Sequence, residues 1–286
     1  MALLRSAYPP SFPGQVLLKI NTFLIELEDM KLLLSSHSLE PFPLEEVFLL
    51  AREVGADGLE LVLMPSVYKL GFAKVKELSQ KYGLPIVNVH QPPWYVLFTG
   101  RGGINKFLKI VEYFGAQNVV MHLATARRRS LSDFWSWIKT RERETGLNIA
   151  FENAAPRFLE RWPRYAGVPE ALENFIESQK VNLTLDVAKA VLTGTDPYQF
   201  FQKHTEQIKV LHFHGFNQGN FHIGFRGHNF DWSGFMSFVK KFNFDGAVTL
   251  EIFPFHKWLY FRRPPHDQLA QAKEVIKESF ELLKRV

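Results

Sequence analysis

Cysteine does not occur among the 286 residues. That absence excludes disulfides, thiolate-held zinc and a cysteine nucleophile, so any transition metal has to be held by His, Asp and Glu. No uninterrupted apolar run reaches the roughly 18 residues that a membrane span requires. The opening "MALLRSAYPPSFPG" has too short an apolar stretch for a secretory signal before its prolines. The expectation is a soluble, cytoplasmic protein with no membrane partner. Low-complexity segments, linkers and composition breaks are missing too, and no Gly-rich first turn marks a doubly wound nucleotide-binding sheet.

What is present is a normal globular balance, with hydrophobic residues at 46% and charged residues at 22%, enough for a sizeable core in one domain or two. The net charge of +5 and pI near 9.2 lean toward anionic ligands such as sugar phosphates or nucleic acid.

Apolar runs bounded by turns recur along the chain: "VLLKINTFLI", "DGLELVL", "PIVNVH", "AQNVVMHL", "NIAFEN", "VNLTLD", "IKVLHFH" and "GAVTLEI". Helical stretches separate them, among them "PLEEVFLLAREVG", "FAKVKELSQKYG", "INKFLKIVEYFG", "LSDFWSWIKTRERETG", "PEALENFIESQK", "DPYQFFQKH" and "DWSGFMSFVKKF", and "HDQLAQAKEVIKESFELLKR" closes the series. Gly55, Gly83, Gly115 and Gly146 follow helix ends, and Pro43 and Pro169 stand at helix starts. Eight β-then-α units are what a closed (β/α)8 TIM barrel needs. The expected organisation is a single α/β barrel domain over residues 1–286, with 1–14 an irregular N-terminal segment; an open doubly wound sheet is the alternative.

In such a barrel the active site lies at the C-terminal strand ends, so what each run finishes with is informative. The endings are Glu60, His90, His122, Glu152 with Asn153, Asp186, His212 with His214, and Glu251. Glu152, Asp186, His212 and Glu251 form the mixed carboxylate and imidazole set that suits Mn, Zn, Co or Mg, and a cation offsets the cost of clustering three negative charges. His90 and His122 could supply imidazoles to a second ion that shares Glu152.

With these residues placed in order, the chain resembles the xylose isomerase-like TIM barrel superfamily, which includes sugar isomerases and epimerases and the endonuclease IV type of AP endonuclease. The resemblance is carried by "GADGLEL", "VNVHQPPW", "VVMHLA", "FENAA", "LTLDVAKAV", "LHFH" and "TLEIFP" in that order and spacing. It implies one divalent metal held by Glu152, Asp186, His212 and Glu251, with Glu152 and Glu251 as catalytic proton carriers. The endonuclease branch implies a Glu-shared metal pair that adds His90 and His122. A third metal in that branch uses two His and an Asp, where this chain has Lys189, His222 and Asn220. Gln218 stands where the epimerases commonly carry Arg.

Each residue also has a plainer reading. Asp186 would cap a helix starting at Val187. His214, on the same strand face as His212, either faces substrate or is a hydrogen-bonding wall. Lys189 either directs a positive charge at a substrate carboxylate, phosphate or enediolate, or is a solvated helix residue. Arg127, Arg128 and Arg129 either grip phosphate or form a solvated loop. Trp94, Tyr95, Arg262 and Arg263 suit a sugar face, a base or a second subunit in an oligomer. The substrate-binding candidates are therefore His90, Trp94, Lys189, His214 and His222. The expected function is a divalent-metal-dependent sugar or sugar-phosphate isomerase or epimerase acting through an enediolate. The alternatives are an AP endonuclease-like phosphodiesterase acting on nucleic acid, and a non-catalytic barrel.

Overall fold

A computed structural model describes residues 30–92, 100–122, 131–153, 177–217, 220–226, 230–254 and 266–286. The chain alternates strand and helix through β1 (Lys31–Ser35), α1 (Leu44–Glu53), β2 (Gly58–Val62), α2 (Pro65–Leu70), α3 (Phe72–Tyr82), β3 (Ile86–His90), α4 (Gly100–Phe114), β4 (Asn118–His122), α5 (Leu131–Thr145) and β5 (Asn148–Glu152). It continues through β6 (Asn182–Asp186), α6 (Val187–Leu192), α7 (Pro197–His204), β7 (Ile208–Phe213), β8 (Gly215–Asn217), β9 (Asn220–Ile223), α8 (Trp232–Lys241), β10 (Ala247–Leu250) and α9 (His266–Lys284).

Eight of these strands close into one barrel in the order β1-β10-β7-β6-β5-β4-β3-β2, and every pairing in it is parallel. This is the (β/α)8 arrangement, and the open sheet is excluded because β1 pairs with both β2 and β10. Strands β2 and β3 are buried at every residue, since one face meets the barrel interior and the other meets helices. The helices present apolar stripes to that outer face. In α4 the buried residues are Ile104, Phe107, Leu108 and Val111, the i, i+3, i+4, i+7 spacing of one helix face. Trp135 of α5 meets Phe151 of β5 edge-on at 4.7 Å. Gly58 opens β2 where a Cβ would stand 2.6 Å from the carbonyl oxygen of Pro85, so only glycine lets the chain approach β3 this closely.

The first strand differs from the sequence-based expectation. "VLLKINTFLI" lies outside the described residues, and the strand that pairs with β2 and β10 is "KLLLS". The short antiparallel pair of β8 and β9 beyond β7 was not expected either. The other seven barrel strands fall within the expected runs. Among the described residues no helix is long and apolar enough to cross a membrane.

The barrel interior carries a polar ladder as well as aliphatic packing. Asn88, Asn118 and Asn148 are paired in register on β3, β4 and β5. Asn148 donates to Asn118 Oδ1 at 2.9 Å, Asn118 donates to Asn88 Oδ1 at 2.8 Å, and Asn88 donates to Glu60 Oε2 at 3.0 Å. Each buried amide thereby has a partner, which its burial demands.

Candidate active site

The parallel register brings the strand-end residues to one level of the barrel mouth. His122 is paired with Glu152 and Asp186 with His212, while Glu251 directly follows β10. All of Glu60, His90, Glu152, Asp186, His212, His214 and Glu251 are buried. A carboxylate out of water is costly unless paired, so the pairings account for how the cluster persists.

His212 is the hub. Its Nδ1 stands 2.9 Å from Glu152 Oε1 and 3.2 Å from Glu251 Oε2, and its Nε2 stands 3.1 Å from Glu60 Oε2. Burial opposes charge on this imidazole, but Glu60, Glu251 and Glu152 outweigh it and hold its pKa well above the ordinary histidine value. Glu60 Oε2 also accepts from Thr249 Oγ1 at 3.0 Å and from Asn88. It fixes the ring through Nε2 and leaves Nδ1 facing the mouth, as a carboxylate behind a metal-facing imidazole does. Glu60, expected from the sequence as a strand ending with no assigned role, lies instead in the middle of β2, level with Asn88 rather than with His90. The signal was a charge inside the apolar run "DGLELVL", which requires a buried partner.

Lys189 enters the same cluster. Its Nζ lies 2.8 Å from Glu152 Oε1 and 2.8 Å from Asp186 Oδ2, with the side chain 12% exposed. The ammonium thus faces carboxylates of the chain itself rather than open solvent. Burial works against its charge, yet Asp186 and Glu152 more than compensate and raise its pKa above the ordinary lysine value. For Glu152, burial favours the neutral acid, and Lys189, His122 and His212 reverse that and hold the carboxyl well below its usual range. Glu251 is likewise held well below it, burial being outweighed by His222 and His212.

Asp186 does two jobs at once. Its Oδ1 accepts from the Lys189 backbone N–H at 2.9 Å and caps α6, while its Oδ2 faces Lys189 and the Nε2 of His214 at 3.1 Å. Asn153 locks this corner: its Oδ1 accepts from the Asp186 N–H at 2.7 Å and its Nδ2 donates to the Asp186 carbonyl at 3.0 Å. His214 is fully buried behind Asp186, and its Nδ1 accepts from the His222 backbone N–H at 3.1 Å. His222 lies against Glu251, with its Nδ1 3.0 Å from the Glu251 carbonyl oxygen and 3.7 Å from Oε2.

On the other side of Glu152, its Oε2 is 3.1 Å from His122 Nδ1 and 3.9 Å from His90 Nε2. His90 Nδ1 is engaged with the Gln91 carbonyl, which leaves the Nε2 lone pair directed at Glu152. The rings of His90 and His122 meet edge-on at 5.1 Å.

All nine strand-end and helix candidates within the described residues, His90, His122, Glu152, Asp186, Lys189, His212, His214, His222 and Glu251, therefore form one connected cluster. Trp94, Tyr95, Arg127, Arg128, Arg129, Gln218, Arg262 and Arg263 lie outside the described residues, as does the Asn220 side chain.

Two donor sets here suit a divalent ion. In His90, His122 and Glu152, and again in Glu152, Asp186, His212 and Glu251, the ligand atoms lie within 4.8 Å of one another. The first fits directly, because gaps of 3.1 and 3.9 Å bracket the ~3.4 Å between two ligands each about 2.1 Å from a tetrahedral ion. The second has the right donor chemistry, but the Lys189 ammonium is bonded to two of its four members.

Comparison with known proteins agrees with this architecture. An uncharacterized protein of Mycobacterium tuberculosis (strain ATCC 25618 / H37Rv) is 28% identical over 208 residues, 64% of this chain and 74% of that protein. The E. coli 3-keto-D-glucoside 4-epimerase YcjR superimposes with a TM-score of 0.65 at 16% identity, covering 90% of this chain and 100% of that one. An AP endonuclease, family 2, from Brucella melitensis gives a TM-score of 0.64 at 13% identity, covering 79% and 94%. These structural likenesses carry the fold. The family model described as xylose isomerase-like TIM barrel matches residues 48–286, and the chain belongs to that family.

Proposed function

We propose that the chain is an isomerase or epimerase of sugars or sugar phosphates that moves a proton at the carbon beside a carbonyl. The observation that carries this reading is the convergence of two buried carboxylates, Glu152 and Glu251, on one imidazole nitrogen of His212, at 2.9 and 3.2 Å. Both are held ionised, so either can accept a proton. One takes the proton from the carbon to leave an enediolate. Returning that same proton to the neighbouring carbon completes an isomerisation. In an epimerisation the other carboxylate, carrying a proton taken from solvent, delivers it to the opposite face while the first releases its proton to solvent. The Lys189 ammonium beside Glu152 and the His212 imidazolium supply fixed positive charge as the oxyanion develops. A divalent ion held by His90, His122 and Glu152 would add Lewis-acid polarisation of the carbonyl. His222, at the Glu251 side of the mouth, is placed to meet substrate hydroxyls, while the buried His214 holds Asp186 from behind. Incubation with a panel of ketoses, keto-sugars and their phosphates in D2O tests this. Deuterium at the carbon beside the carbonyl is expected, and no exchange in any substrate with any metal rejects it.

A phosphodiesterase of the AP endonuclease kind is the second reading, favoured by the His90, His122 and Glu152 Oε2 constellation. It requires cleavage of an abasic-site duplex at low salt with zinc or manganese. An intact duplex removes it.

A further inference from the structure

We propose that Lys189 is a tethered cation that takes the place of a divalent ion between β5, β6, β7 and β10. A dissociable ion bound by this chain is then confined to the position between His90, His122 and the other oxygen of Glu152. The inference concerns ion binding and holds whichever reaction the site performs.

The argument starts with how Glu152 divides its two oxygens. Oε1 is shared by Lys189 Nζ at 2.8 Å and His212 Nδ1 at 2.9 Å, while Oε2 faces His122 and His90. An ion held jointly by Glu152, Asp186, His212 and Glu251 needs Oε1 of Glu152 and Oδ2 of Asp186, the two atoms to which the ammonium is already bonded. The ammonium cannot be shared with a dication, because in a site closed to water the two charges repel strongly at ligand distance. Nor does Lys189 reach this place by chance of rotamer. Its Cα is fixed three residues after Asp186 by the cap on α6, in which Asp186 Oδ1 accepts from its own backbone N–H. Being covalently tethered, it outcompetes a free ion at equal charge per contact, having lost no translational freedom to arrive.

Glu60, His90 and His212 offer a third candidate set, but Glu60 Oε2 is taken up by Asn88 Nδ2, Thr249 Oγ1 and His212 Nε2 together, donors that an ion there would have to displace. His90 Nε2, by contrast, faces Glu152 Oε2 across a gap too wide for a hydrogen bond.

The test is Mn2+ titration of chelator-stripped full-length protein by calorimetry, with electron spin resonance for nitrogen coupling to the bound ion. One Mn2+ per chain is expected, with histidine nitrogen coupling. His122→Ala should weaken it by more than about 100-fold, since even outer partners of a ligand are worth 10–100-fold, and Glu251→Gln should leave it within a few fold. Lys189→Met should raise the count from one to two, and Lys189→Arg, which keeps the charge, should leave it at one. The proposal is overturned by two ions or none in the unaltered protein, by loss of the ion in Glu251→Gln with retention in His122→Ala, or by an unchanged count in Lys189→Met. Should Lys189→Met fail to fold, the His122→Ala and Glu251→Gln comparison decides by itself.

Discussion

Glu60 of β2 and His212 of β7 meet across the barrel at 3.1 Å, although neither strand pairs with the other. This contact orients the imidazole on which Glu152 and Glu251 converge. Glu60→Ala removes the acceptor for His212, Asn88 and Thr249 at once and leaves an imidazolium buried without one of its carboxylates. A loss of about 3–5 kcal/mol in unfolding free energy is expected from breaking a buried pair on one side. Glu60→Gln keeps an acceptor and the shape, and should cost less, about 1–3 kcal/mol. Urea unfolding of the two variants checks the order; equal losses would mean that the charge of Glu60, which both variants remove, carries its whole contribution.

The asparagine ladder extends this support down the barrel. Asn118 is its middle rung, donating to Asn88 and accepting from Asn148. Asn118→Ala leaves the buried Asn88 Oδ1 without its donor, at about 1–3 kcal/mol for a group stranded in the interior, while the half-buried Asn148 at the start of β5 can turn to water. Combining it with Asn148→Ala should cost less than the sum of the two single losses, because the second change then breaks no bond that the first left intact. Simple additivity in a double-mutant cycle would show that the rungs act separately.

Much of this was legible in the chain, and the misses share physical causes. Seven strands announced themselves as apolar runs because both their faces are buried. "KLLLS" did not, since Leu has little strand preference and only pairing with β2 and β10 singles out five such residues. The three- and four-residue strands β8 and β9 carry too few alternations to register as a period. Glu152, Asp186, His212 and Glu251 could be read as one group because each ends a strand. Lys189 stood open between a substrate contact and a solvated residue. Its spacing of three from Asp186 on a helix was the available clue to their ion pair. No local pattern says that the same ammonium also reaches Glu152, which lies on the neighbouring strand.

Stability of the metal-free protein should fall on both sides of neutrality, for opposite reasons. Burial and the neighbouring His214 pull His222 down to about 3, and burial lowers His90 as well. Below about pH 6.5 the unfolded chain therefore takes up protons that the folded chain refuses. Each such group removes about 1.4 kcal/mol per pH unit, for His222 down to its folded value. Glu152, Asp186 and Glu251, all lowered, add to the loss below about pH 4. His212 is raised, so its contribution is complete below about pH 6.5 and disappears as pH rises through its folded value. Urea midpoints from pH 4 to 9 should trace this shape. His222→Asn, tolerable at a φ of 57°, should flatten the slope between pH 6.5 and 4; an unaltered slope would show that His222 is solvated when folded.

Glu251 and Glu152 are expected to part company when each is made an amide. Among the described residues Glu251 is paired with the imidazoles of His212 and His222, so Glu251→Gln removes a proton acceptor while His212 keeps Glu60 and Glu152. With a substrate found by deuterium exchange, kcat should fall by about 10²–10⁴-fold, the usual worth of a general base, with KM changed little and a smaller loss of stability than in Glu152→Gln. Glu152→Gln strikes more partners, because Lys189, His122 and His212 all lean on that carboxylate. It should lower kcat to a similar extent, raise KM, and lose several kcal/mol of stability as buried cations are left uncompensated. Lysine and histidine positive charge left unbalanced in Glu152→Gln should in addition weaken Mn2+ binding, while Glu251→Gln retains it. Steady-state kinetics, urea unfolding and Mn2+ titration on the two proteins separate these outcomes, and a Glu251→Gln enzyme with undiminished exchange would remove that residue from the chemistry.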